Sequence, residues 1–238
     1  MGGDGEQRPE GFDPASMMRD GTVSVVVGRH RQSATAMCVR LLQRLPRTGC
    51  EGVPLPFTAL VSAPVASLEA YRAAVAADGG DMWMLTGFSE SAVSEFADAR
   101  SSAVRMMHQT CVGRRPEMTG RCCVVLDGCF STLRPHRSGA LRRIYCNKRC
   151  YDMDVVVEVP PCMARQLPTL LWSNVDYLFV LPDSIAAARS NVFRNVIRSE
   201  QVDAALMRYD GDDESFSDCD RCMVVDVEQG TAGFVTAA

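Results

Sequence analysis

The sequence predicts an α/β fold built on a single doubly wound, mostly parallel sheet that ends in a C-terminal hairpin. Three observations carry this expectation. Short, nearly continuous apolar runs such as residues 22–27 (TVSVVV) and 175–181 (VDYLFVL) have strand length and no polar alternation, the pattern of strands covered on both faces. Longer helical stretches separate these runs, which calls for parallel strands joined by crossovers. The last two apolar segments, 222–227 and 233–236, are close enough to pair as a hairpin around residues 228–232.

Taken in order, residues 1–20 are rich in glycine, proline and acids and read as a flexible tail. Residues 21–238 contain no internal repeat and no central Pro/Gly linker, so they are expected to form one domain. The first strand, 22–27, precedes a helix over 35–45, whose apolar residues fall at 37, 38, 41, 42 and 45 and which Pro46 stops. A strand over 57–62, closed by Pro64, leads to a helix over 67–77 that Gly79 and Gly80 end. A weaker strand spans 81–86. The helix over 89–107 opens on Ser89 as N-cap, with acids in its first turn. Strand 122–126, a short basic helix over 138–146, and strand 153–159 before Pro160 follow. After strand 175–181 come helices over 185–197 and 201–208. Strand spacing is too irregular for an eight-unit barrel, so an open sheet is expected.

Composition narrows the function classes. Of 238 residues, 47% are hydrophobic and 23% charged, which excludes wholesale disorder. The net charge of -4 excludes a uniformly basic nucleic-acid coat but permits a local patch. No apolar stretch approaches the ~20 residues that span a bilayer, so no membrane association is expected. The polar, acidic N-terminus is no secretory signal, and Gly2 lacks the Ser or Thr that myristoylation favours. Eleven cysteines, an odd number, read as reduced thiols. Cys219-x-x-Cys222 and Cys146-x-x-x-Cys150 match no standard zinc spacing, so zinc is not expected. A cysteine-rich zinc or redox module stays open as an alternative function.

The segment VSVVV-GRHRQSAT follows strand with turn and helix, the place where such folds hold phosphate. Set against the phosphate-loop pattern, Gly28 takes the first position and Ser33 that of the second glycine. Ala34 then falls on the lysine, and Thr35 on the hydroxyl that binds magnesium. The nucleotide-binding candidates are therefore Gly28, Ser33, Ala34 and Thr35. Without the lysine no ammonium bridges the phosphates, although Arg29 or Arg31 could offer a cation from another direction. The run RCCVVLDGC, residues 121–129, ends a buried strand at Asp127, where such enzymes place the carboxylate that holds magnesium with Thr35. Gly128 stands where a second acid would activate water.

Together with later segments these motifs make the chain resemble the genome-packaging ATPases of large double-stranded DNA viruses of eukaryotes, the poxvirus-like branch of the FtsK–HerA superfamily. The corresponding pieces are NKRCY at 147–151, VVVEVP at 155–160, LWSNVDYLF at 171–179 and CMVVD at 222–226. The resemblance runs from about residue 22 to 238. It implies a phosphate-loop NTPase fold, Mg-ATP as cofactor, and double-stranded DNA and capsid or packaging proteins as partners. It also implies homo- or hetero-oligomers, in the host cytoplasm, a viral factory or the virion. Gly28, Thr35, Asp127, Asn147, Arg149 and Asn174 match the family; Ala34, Gly128, Glu158 and Trp172 depart from it. Glu158 replaces the glutamine that would sense the terminal phosphate, and its carboxylate would repel that group.

These departures sit at catalytic positions, so a degenerate, non-hydrolysing structural or regulatory member is expected, with Mg-ATP binding weak or lost. An active motor with a deviant phosphate loop is the alternative. Between Gly128 and Tyr151 the chain has no acid, and Arg137, Arg142, Arg143, Lys148 and Arg149 are the candidates for contacting DNA. Lys148 is the sole lysine among 25 basic residues. The acids at 210–220 lack any calcium-loop spacing and read as a solvated loop.

Overall fold

A computed structural model describes residues 21–45, 57–77, 79–110, 121–131, 134, 137–164, 167–184 and 221–236. Eight strands form one sheet: β1 (Val23–Val27), β2 (Phe57–Ser62), β3 (Asp81–Leu85), β4 (Arg121–Leu126), β5 (Met153–Val159), β6 (Tyr177–Val180), β7 (Arg221–Asp226) and β8 (Thr231–Thr236). Their order is β3-β2-β4-β5-β1-β6-β7-β8. The first six run parallel, and β7 and β8 add an antiparallel hairpin beside β6. The α/β fold is therefore the one the apolar runs anticipate.

Alternation along each strand sends side chains to two separate cores. Val26, Val61, Val125 and Val156 meet α1 (Arg31–Arg44) and α2 (Val65–Ala76) on one face. Val25, Leu60, Val124 and Val155 meet α3 (Glu90–Thr110) and α4 (Gly139–Asn147) on the other, with the short helices α5 (Pro161–Ala164) and α6 (Thr169–Trp172). Ser89 caps α3 by accepting from the Ala92 amide at 3.3 Å. Ser138 caps α4 through the Leu141 amide at 2.9 Å, and Glu90 joins that cap by accepting from Ser138 Oγ and the Ala140 amide, both at 2.6 Å.

One boundary differs in a way that matters. Helix α1 begins at Arg31 rather than residue 35, with the Ala34 amide donating to the His30 carbonyl at 3.1 Å. Its first three residues are polar and add nothing to the apolar stripe, so periodicity could not register them. Helices expected over 185–197 and 201–208, the tail 1–20, the acids at 210–220 and Cys219 lie outside the described residues. Among the described residues no helix is long and apolar enough to cross a membrane.

Candidate functional site

Strand β5 lies between β1 and β4, so the carboxyl ends of the three strands stand side by side. Val26 pairs with Glu158, and Leu126 with Val157. One step further along β4, Asp127 comes level with Glu158. Both carboxylates point to the α1/α2 face, because Leu126 and Val157 occupy the other core.

Asp127 is 1% exposed. Its Oδ2 accepts from the Thr35 hydroxyl at 2.7 Å and the Tyr71 hydroxyl at 2.9 Å, which brings α1 and α2 onto one oxygen. Its Oδ1 is buried and has no hydrogen-bond partner among the described residues. Glu158, 3% exposed, accepts from the Gly128 amide at 3.0 Å. Burial pushes the Glu158 carboxyl up to about 7. The Gly128 amide and the Arg31 charge oppose that rise, whereas the Asp127 charge adds to it.

Gly128 has φ 65°, a left-handed backbone that glycine takes without strain. A Cβ there would overlap the terminal Nη2 of Arg31, so a guanidinium from the first turn of α1 fills the space where a side chain at 128 would begin. Beside it, Cys129 Sγ lies 3.1 Å from Ser62 Oγ, and burial pushes that thiol up to about 11. A groove of about 620 Å³ opens between α1 and α2 alongside Thr35 and Arg31.

The sequence-derived frame for phosphate acquires a different geometry. Only residues 28–30 separate β1 from α1, so Ser33, Ala34 and Thr35 lie inside the helix. Ala34 is fully buried in the apolar core, and a Cβ on Gly28 would meet Leu181 Cδ1 at 2.6 Å. This short, packed turn does not fit a polyphosphate. Thr35 and Asp127 do come together, and the unpartnered Oδ1 is the one feature here that suits a cation. Tyr71 belongs to the site but carried no sequence signal, since it sits on the apolar face of α2.

The basic stretch divides by exposure. Arg137 and Arg142 are exposed. Arg143 pairs with Asp98 at 2.6 Å and donates to Tyr151 Oη at 3.0 Å. Lys148 is withdrawn: its ammonium is buried against Asp176 and the Asn174 carbonyl, which removes it from the DNA-facing candidates. Arg149 is 65% exposed beside Asp176. Residues 147–149 and Asn174 precede β5 and β6, so these resemblance motifs lie at the amino ends of the strands, opposite Asp127 and Glu158. Trp172 is buried, donating from Nε1 to the Ala164 carbonyl at 3.2 Å. Cys146 and Cys150 are exposed and Cys222 is buried; the described residues contain no group of three that could hold a metal.

Strand order, the helix on β1 and the buried acid ending β4 define the class as an α/β fold of the P-loop NTPase type. No family model matches the chain, and no curated protein matches its sequence. Solved structures do match. The genome packaging NTPase B204 from Sulfolobus turreted icosahedral virus 2, in complex with AMP, superposes with a TM-score of 0.57 at 9% identity, covering 92% of this chain and 98% of that one. EccC (ATPases 2 and 3) from Thermomonospora curvata, in complex with a signal sequence peptide, gives 0.55 at 10% identity over 95% of this chain and 38% of that one. EssC (ATPases 2 and 3) from Geobacillus thermodenitrificans gives 0.53 at 11% identity, over 92% and 40%.

Proposed function

We propose that residues 21–238 form a viral packaging-ATPase-like unit that does not hydrolyse ATP and serves as a structural or regulatory subunit. In this reading it works beside packaging or capsid proteins on double-stranded DNA, within the infected cell or the virion, and binds Mg-ATP weakly or not at all. The observation that carries it is the three-residue turn between β1 and α1, with Ala34 buried where a phosphate-binding lysine would stand. Such a turn offers no loop of amides around a phosphate and no ammonium beside it. Glu158 supports the same reading, because its carboxylate already holds the Gly128 amide.

One observation favours an active motor instead: the unpartnered Asp127 Oδ1 next to Thr35 would suit a divalent cation. Calorimetry with Mg-ATP beside a steady-state hydrolysis assay separates the two. The expected result is no turnover above background, and none gained by Ala34→Lys. Turnover that Asp127→Ala abolishes would overturn the proposal.

A further inference from the structure

Among the described residues strand β3 is an edge of the sheet, and its own sequence carries little that keeps edges from pairing. Its residues, DMWML, include no lysine, no proline and no charge beyond Asp81 at its start. Trp83 is 45% exposed and Met84 39%, one on each face of the strand. Trp83 lies edge-on to Phe96 of α3 at 5.6 Å, whereas Met84 Sδ takes the Arg72 guanidinium of α2 at 3.2 Å.

The backbone of β3 decides which groups face outward. The Ala63 amide donates to the Leu85 carbonyl at 3.0 Å, so Leu85 turns its N–H and C=O towards β2. Direction alternates along a strand, so Asp81 and Trp83 also face β2, and Met82 and Met84 present theirs outward.

We propose that β3 pairs antiparallel with β3 of a second copy of this chain, centred on Trp83. In that register Met82 of each copy lies opposite Met84 of the other. The residues with outward donors and acceptors thus meet each other, and both sets are used. Trp83 faces Trp83 as a non-hydrogen-bonded pair, the closer of the two antiparallel spacings and the better one for aromatic contact. Asp81 falls opposite Leu85 rather than opposite its own copy, so no like charges meet. The contact is isologous and closes at two chains. It concerns an edge that β2 separates from β4 and Asp127, and it stands independently of any nucleotide chemistry.

Sedimentation velocity of the full chain across the micromolar range tests it, since a contact of this modest size gives a concentration-dependent dimer. The expected result is a monomer–dimer equilibrium, with tryptophan emission shifting to the blue as Trp83 becomes covered. Trp172 is already buried and should contribute no shift. Trp83→Lys places two ammonium groups face to face and is expected to leave monomer at every concentration. Met84→Pro deletes an amide that β2 does not use, so it should do the same while circular dichroism stays native. A chain that is monomeric throughout, one that assembles beyond dimers, or a dimer that persists in both folded variants would each overturn the proposal.

Discussion

The two ends of the parallel strands handle buried charge in opposite ways. At the amino ends of β1, β4, β5 and β6 two buried carboxylates are met by cations, although Asp226 of β7, level with Tyr177, has among the described residues only the Gln229 amide at 2.9 Å. Asp176 accepts the Lys148 ammonium and the Val23 amide, and Asp154 accepts Thr22 through amide and hydroxyl and pairs with Arg121 at 3.2 Å. At the carboxyl ends Asp127 keeps an unpartnered oxygen, and Glu158 is buried with one amide for a partner. A buried pair resists loss of either member, whereas an under-satisfied charge weakens the fold that holds it. The amino end is therefore the clamp, and the carboxyl end is the place where stability has been given up.

The largest effect should come from breaking the clamp. Asp176→Ala strands the Lys148 ammonium and is expected to cost about 3–5 kcal/mol in chemical denaturation. A loss near zero would show that water reaches Lys148 and would erase the contrast between the ends.

At the other end the sign reverses. Glu158 has its carboxyl raised from 4.5 to about 7. Between those values the folded chain holds a proton that the unfolded chain has released, so stability falls as pH rises through that window and levels off above it. Glu158→Gln keeps an acceptor for the Gly128 amide and removes the charge. It should stabilise the fold by on the order of 2 kcal/mol above pH 7, with no gain below pH 4.5. Thermal melts of both proteins across this range check it, and a pH-independent difference would contradict the assigned cause.

Arg149 marks the boundary of the clamp. It is 65% exposed, 3.5 Å from Asp176 and 4.0 Å from Glu228. Arg149→Ala is expected to change unfolding free energy by no more than about 0.5 kcal/mol, since solvent screens such pairs. A larger loss would extend the clamp to the surface.

Much of the fold was legible because its signals are local. Near-continuous valine runs marked β1, β4 and β5, and the position of Asp127 at the end of β4 followed from its strand. The candidate site was only half legible. Thr35 and Asp127 could be named from spacing, and the structure brings the Thr35 hydroxyl to 2.7 Å from the Asp127 carboxylate. Tyr71 could not, because a tyrosine on an apolar helix face carries no mark of the carboxylate it will reach. Lys148 misled for the same reason: a lysine among arginines looks like surface charge until Asp176, 28 residues away, is brought against it.

By itself the sequence determined the class of fold, the succession of strands and helices, and the identities of the residues at positions 34, 128 and 158. Those follow from periodicity and residue identity, which act over a few neighbours. Only the tertiary structure decided that α1 starts at Arg31, that the Arg31 guanidinium takes the space beside Gly128, and that Lys148 turns inward. It also decided that β3 comes last in the order of the described strands. Each depends on which strands become neighbours in the sheet, and neighbours such as β1, β5 and β6 are set by packing between residues more than a hundred positions apart.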